Sequence, residues 1–106
     1  MKAYEIRFLG EALDDLEEIV LYIARDSTTA AMLMHDKIIA SANDLAMFPK
    51  RGRPVPDKKI SAMGFRMLGI PPYIAFYRVV GGEVLIYRVL HGATNYPQLY
   101  EKMGQG

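Results

Sequence analysis

The chain has 106 residues, about half of them apolar, and a formal net charge of +1. That length suits one small domain with a modest core, of the kind that often leans on a partner. With no cysteine, a disulfide scaffold and a thiolate zinc site are excluded, and a reducing compartment fits.

The near-neutral total hides an asymmetry. Residues 1–48 carry four Lys/Arg against nine acids, and residues 49–106 carry nine Lys/Arg against three. A basic surface that meets an acidic partner or a polyanion is therefore expected from the second half.

The first predicted element is KAYEIRF, Lys2–Phe8. It alternates with period two, placing Tyr4, Ile6 and Phe8 on one face, and reads as a strand with one buried side. Its charges leave no apolar core of a signal peptide, and no segment approaches the length of a membrane span, so a cytoplasmic location is expected. EALDDLEEIVLYIARD, Glu11–Asp26, changes to helical spacing with Leu13, Leu16, Val20 and Ile23 as its stripe, widened by Ile19. Acids lie in its early turns and Arg25 at its end, as the helix dipole favours. Gly10 is the weak stand-in for a cap. A second helix starts at Asp26-Ser27, either of which can cap it, and buries Ala31, Met34, Ile38, Ala42 and Leu45. The two helices form an antiparallel hairpin, and Pro49 stops the second.

FPKRGRPVPDKKISAMG follows as a long polar connection. FRMLGI (Phe65–Ile70) is a short strand, and PYIAFYRVV (Pro72–Val80) and EVLIYRVLH (Glu83–His91) are longer ones. Gly81-Gly82 between them is a two-residue hairpin signal. Counting from that turn pairs Val80 with Glu83, Arg78 with Leu85, Phe76 with Tyr87 and Ala75 with Arg88. Arg78 and Arg88 then point to opposite faces of the sheet. Both faces are largely apolar, so one takes the helices and the other is partner-ready or covered by the tail. That tail, from about residue 92, has room for one short turn or helix. The fold expected over residues 1–106 is α+β: an N-terminal strand, a helical hairpin, then three antiparallel strands, with the helices on one sheet face.

No phosphate loop, HExxH or metal-ligand spacing is present, so no metal and no cofactor are expected. The groups left for chemistry or contact are cationic, aromatic and His91. Arg78, Arg88 and Arg66 each read either as a stem that packs with its head in water or on an acid, or as a contact to phosphate or carboxylate. His91 reads as a capping or packing residue or as a general acid–base. Tyr100 can stack on a base. Arg51 and Arg53, with Arg66, form either a basic rim beside the sheet or charges on a solvated connector. Leu16 is an apolar anchor for a partner.

Taken in order, EALDDLEEIVLYIARD, MFPKRGRPVP, FRMLGIPPYIAFYRV and VLIYRVLHGATNYPQL resemble the RelE/ParE family of bacterial toxins, over about Tyr4 to Leu99. The resemblance implies the fold read above and a cognate antitoxin that wraps the toxin. One branch of that family cleaves mRNA in the ribosomal A site; the other, which this chain resembles more, acts on DNA gyrase. In the cleaving branch an arginine follows a tyrosine that matches Tyr73, and a second arginine stands just past the glycine that matches Gly92. Here those places hold Ile74 and Ala93-Thr94. Tyr100 matches the terminal tyrosine without those arginines, and an isoleucine and a threonine cannot stabilise a developing phosphate charge as guanidinium groups do. Three functions follow as expectations: a non-catalytic gyrase poison, a ribosome-dependent mRNA endoribonuclease using His91 or Tyr100 with the basic loop, and a non-toxic interaction module of the same fold.

Overall fold

A computed structural model describes residues 3–94 and 96–105. Its elements run β1 (Glu5–Phe8), α1 (Gly10–Ala24), α2 (Thr28–Asp44), β2 (Arg53–Pro54), α3 (Lys58–Ala62), β3 (Arg66–Ile70), β4 (Tyr73–Val80), β5 (Glu83–His91) and α4 (Tyr96–Gln105). The α+β architecture matches the expected one, with a helical hairpin against one face of a sheet. Lys2, the expected start of the first strand, lies outside the described residues.

The five strands lie in the order β1-β5-β4-β3-β2. β3, β4 and β5 are antiparallel neighbours, and Gly81 takes a φ of 60° in the turn between β4 and β5. β1 pairs with β5 in parallel, Glu5 opposite Glu83 through Phe8 opposite Ile86. The sheet is therefore mixed, because the hairpin α1–α2 carries the chain away from β1 before the antiparallel strands begin.

The hairpin packs where its periodicity allows. Ser27 caps α2 by accepting from the Ala30 N–H at 3.0 Å. Ala31, Ile38, Ala42 and Leu45 are buried as expected, and Met34 packs against the same core. On α1 the buried face is rotated from the expected stripe. Ala12, Asp15, Leu16 and Ile19 are buried, whereas Leu13 is 52% exposed. The helix starts after Leu9 with no side-chain cap.

Two cores flank the sheet. On the helical side Tyr73, Ala75, Tyr77, Val84, Ile86 and Val89 meet the hairpin. On the other side Phe65, Met67 and Phe76 meet Val55, Ile60, Leu99 and Met103. The second sheet face is thus covered by the tail. α4 places Tyr96, Leu99, Tyr100 and Met103 at helical spacing toward that core. The segment expected as a polar connection is also packed. It forms β2 against β3 and the short α3, which Asp57 caps through the Ile60 N–H at 3.0 Å.

The hairpin register differs from the one counted from the turn. Tyr77 pairs with Ile86, but Phe76 pairs with Arg88 and Ala75 with Val89, so Tyr87 is an extra residue. Such a bulge bends the strand and resets its alternation. Val89 joins the helical core and Leu90 the opposite one. Arg78 and Arg88, expected on opposite faces, line one shared cleft.

Two buried polar contacts hold the elements together. The Tyr77 hydroxyl donates to the Pro49 carbonyl at 2.7 Å and accepts from the Gly52 N–H at 2.9 Å. Asp15 accepts from Arg88 Nε at 2.7 Å, from Arg88 Nη2 at 2.9 Å and from the Val89 N–H at 2.9 Å. Beyond Phe8 the edge of β5 has no strand beside it, and Asp15 supplies the acceptor that a strand would have supplied. The paired carboxylate holds the Arg88 guanidinium above its usual pKa, chiefly through the hydrogen bond.

Tyr77→Phe should leave the Gly52 N–H without its acceptor and cost about 1–3 kcal/mol in urea unfolding at an unchanged m value. Gly52→Ala should cost at least as much, since its Cβ would lie 2.6 Å from the Met67 carbonyl oxygen and 2.8 Å from Tyr77. Equal stability of either variant and the parent would show that the loop is not held there. Asp15→Ala should cost about 3–5 kcal/mol by stranding Arg88. Asp15→Leu combined with Arg88→Met should recover much of that loss, leaving about 1–3 kcal/mol for the unpaired Val89 N–H. If the double variant is no more stable than Asp15→Ala, charge stranding is not the cause.

Candidate functional site

The basic segment is fixed by its own arginines in different ways. Arg66 turns inward from β3. Its Nε and Nη2 donate to the Gly52 carbonyl at 3.0 and 2.6 Å, and Nη2 also donates to the Lys50 carbonyl at 3.1 Å. It clamps the loop whose other side is held by Tyr77. Arg51 pairs with Asp44 at the end of α2 at 2.9 Å. Arg53 is exposed, and no acid lies within ion-pair distance of it among the described residues. Of the three expected rim arginines, only Arg53 has no hydrogen-bond or ion-pair partner among the described residues.

Arg53 looks onto the aromatic start of α4. Tyr96 and Tyr100 stack with ring centroids 6.1 Å apart and planes 22° from parallel, and both meet Phe76 edge-on. Burial raises the pKa of both phenols, although the Arg53 charge pulls in the opposite direction. For Tyr100, neighbouring Tyr96 and Asp57 add to the rise. A phenol is neutral near pH 7 in any case, and burial moves both further from ionising.

His91 ends β5 with its ring edge-on to Tyr73, centroids 5.8 Å apart. Its Nδ1 accepts from the Ala93 N–H at 3.1 Å, and its carbonyl accepts from the Thr94 N–H and the Tyr96 hydroxyl at 3.0 and 3.3 Å. A neutral imidazole that accepts at Nδ1 carries its proton on Nε2, so the acceptor nitrogen of His91 is turned toward the backbone. The structure thus links His91, Tyr96, Tyr100 and Arg53 in one neighbourhood. Ile74 packs against the second core.

Leu16 is buried within the helical core, 7% exposed. Other apolar side chains are exposed on the hairpin instead. Leu21 and Tyr22 near the end of α1, and Met32 and Leu33 early in α2, are all more than half exposed. They sit at the same end of the hairpin because the turn between the helices spans only residues 25–27. Exposed apolar surface of this kind marks interaction sites.

Two clefts flank the Asp15–Arg88 pair. One, of about 600 Å³, is lined by Asp15, Glu18, Tyr22, Tyr73 and His91. Burial raises the Tyr73 phenol pKa, with a smaller contribution from Tyr22. The other, of about 520 Å³, lies between the start of α1, β4, β5 and α4, and holds Arg78, Arg88 and Lys102. Among the described residues no cluster of three His, Asp or Glu could hold a metal ion, and no helix is long and apolar enough to cross a membrane.

Sequence reasoning did not single out Asp15 or Tyr77. The signal for Asp15 was present, since it falls between Ala12, Leu16 and Ile19 on one helical face. An acid inside an apolar stripe calls for a cationic partner.

Comparison with known proteins places this architecture. Residues 6–96 match the family described as the ParE toxin of the type II toxin–antitoxin system parDE. The chain is 37% identical over 89 residues to toxin RelE2 of Caulobacter vibrioides, covering 84% of this chain and 96% of that protein. It is 33% identical over 99 residues to Y4kP of Sinorhizobium fredii, covering 93% and 99%. Among solved structures, a chain of the chromosomal ParDE system of P. aeruginosa shares the fold, with a TM-score of 0.69 at 23% identity, over 84% of this chain and 96% of that one. A chain of the RelBE2 toxin–antitoxin complex of Mycobacterium tuberculosis superposes with a TM-score of 0.62 at 25% identity, over 84% and 98%. The match spans β1, the hairpin and all the strands and closes where α4 begins, and on this ground the chain belongs to the ParE toxin family of type II toxin–antitoxin systems.

Proposed function

We propose that the chain is a non-catalytic toxin that inhibits DNA gyrase by binding it in the cytoplasm, and that a cognate antitoxin neutralises it. The observation that carries this reading is the state of the two groups a ribonuclease would need. Tyr100 is neutral and stacked, and His91 has its Nδ1 engaged by a backbone N–H. Ile74 and Thr94 stand where guanidinium groups would stabilise a phosphate, and Arg66 is spent on two carbonyls. What the surface offers instead is apolar area for a partner. The exposed end of the hairpin, at Leu21, Tyr22, Met32 and Leu33, is the surface for an apolar antitoxin segment, with Arg53 meeting its acids. The relatives from toxin–antitoxin complexes support a partner of that kind.

A ribosome-dependent mRNA endoribonuclease is the second reading. The cluster of Arg53 with Tyr96 and Tyr100 favours it, because a cation beside stacked aromatics can hold an RNA base and its phosphate. Purified gyrase separates the two readings. Inhibited supercoiling with accumulation of cleaved DNA supports the first. Codon-linked cuts in mRNA by primer extension, with supercoiling intact, support the second. Unimpaired growth on induction without the antitoxin would leave a non-toxic module of the same fold.

His91→Ala and Tyr100→Phe should each keep growth arrest within about twofold of the parent, because general acid–base groups contribute roughly 10²–10⁴-fold where they act. A hundredfold loss of toxicity in either variant, with the fold intact by circular dichroism, would assign catalysis to this face. Leu21→Asp and Leu33→Asp should each weaken antitoxin binding by about tenfold or more in calorimetry, as buried interface anchors do. Arg53→Glu should slow association at low salt and lose that effect as salt rises, while Arg51→Glu, already tied to Asp44, should do less. Affinities unchanged by both leucine variants would remove the hairpin end from the antitoxin surface.

A further inference from the structure

We propose that the cleft between the first turn of α1, β4, β5 and α4 binds a small amphipathic carboxylate, with its apolar part on the cleft wall and its carboxylate at the cations. The proposal is independent of whether gyrase or the ribosome is the target.

The cleft has the volume of a ligand site, about 520 Å³ within the roughly 300–1,000 Å³ common for small-molecule pockets. Phe65, Leu99 and Met103 supply an apolar wall. Three cations line the cleft, and they are not equivalent. Arg88 is already satisfied by Asp15 and by Glu11 at 3.4 Å. Arg78 and Lys102 have no acid within 4.0 Å among the described residues.

Arg78 is the more telling of the two. Its guanidinium carbon lies 5.0 Å from the Phe65 ring centroid and 5.4 Å from that of Tyr87, and Nη2 donates to the Tyr87 hydroxyl at 2.7 Å. The rings hold the charge in place. Its Nε is buried and has no acceptor among the described residues. A buried donor left unpaired is costly, and a carboxylate accepting from the cleft side of this guanidinium gains a charge-assisted bond. The start of α1 adds to the attraction. Gly10 and Glu11 line the cleft, and the helix has no side-chain cap, so the positive end of its dipole lies at the cleft margin. Glu11 opposes an anion, but Arg88 offsets it.

An apolar wall with two unpaired cations selects a ligand that has both parts. A neutral apolar molecule would leave Arg78 as it is. A small hydrophilic anion would forgo the wall.

The test is an amide NMR titration of the full chain with 3-phenylpropionate and, separately, with the neutral 3-phenylpropan-1-ol. The acid should give saturable shifts clustered at residues 9–11, 63–65, 78, 87–88 and 99–103, and the alcohol should bind at least about tenfold more weakly, the loss expected when a charge-assisted bond is absent. Arg78→Gln should weaken the acid by about tenfold. Lys102→Ala, an exposed change that leaves the core intact, should weaken it by about threefold. Equal binding of acid and alcohol would overturn the proposal. So would shifts spread along Lys50–Lys59 instead of the cleft, or no saturable shift by about 20 mM, beyond which an affinity is weaker than a few kcal/mol can hold. Should Arg78→Gln fail to fold, Lys102→Ala and the neutral isostere decide the matter.

Discussion

The fold depends on how one open strand edge is closed. β5 has β4 on one side for its whole length, but β1 accompanies it only from Glu83 to Ile86. The remaining edge would present bare N–H groups beside an apolar helix. Asp15 answers that with one carboxylate that takes the Val89 N–H and two bonds from Arg88. The same contact sets the rotation of α1, because the helix must turn Asp15 inward for it. Leu13 is carried outward as a result, and Ala12 and Ile19 go in. A single polar requirement of the sheet thus bears on which apolar side chains α1 leaves exposed.

The bulge at Tyr87 is the second constraint, and it is linked to the first. Without the extra residue Arg88 would alternate onto the helical face, where the core holds Tyr77 and Ile86. With it, Arg88 reaches Asp15 at the sheet margin and Val89 takes the place in the core. Tyr87 is turned to meet Phe65 edge-on at 4.7 Å and to hold Arg78. One irregularity therefore builds the wall between the two clefts and collects the arginines on one side of it. Bulges are found next to functional surfaces for this reason: they re-aim a side chain at the cost of one ladder position.

Much of this was legible in the residues. The period of two in β4 and β5, the helical period of α2 and the Gly81-Gly82 turn gave elements close to those observed. Local patterns of this kind report local structure well. The bulge was not legible, since Tyr87 and Arg88 carry no mark of it and its cause lies 73 residues away in Asp15. The proline segment was misread as a polar connection because its charges outnumber its anchors. Val55 and Ile60 are two apolar residues in a basic stretch, yet both are nearly inaccessible. α4 showed its stripe at Tyr96, Leu99, Tyr100 and Met103, but polar residues between them masked the period. Arg66 could not be assigned from sequence, for a clamp on carbonyls and a phosphate contact use the same donors.

The positive half-chain yields one cationic cleft and a cationic loop, not a single basic groove. Arg51 is held by Asp44, Arg88 by Asp15 and Glu11, and both acids and Glu11 come from the acidic first half. Arg66 is absorbed by loop carbonyls. Folding interleaves the halves, and three of the nine cations of the second half are tied in this way, two to acids and one to carbonyls. Lys50, Arg53, Lys58, Lys59, Arg78 and Lys102 remain with no acid within 4.0 Å among the described residues, and they lie apart in role. Arg53 stands by the tyrosines, whereas Arg78 and Lys102 face a cleft with an apolar wall. Phosphate chemistry needs cations converging on one point with a base beside them. Here burial moves the Tyr100 phenol further from ionising, and the imidazole Nδ1 accepts from a backbone N–H. Where charges and exposed apolar groups share a protein contact, the charges steer approach and the apolar groups hold the partner.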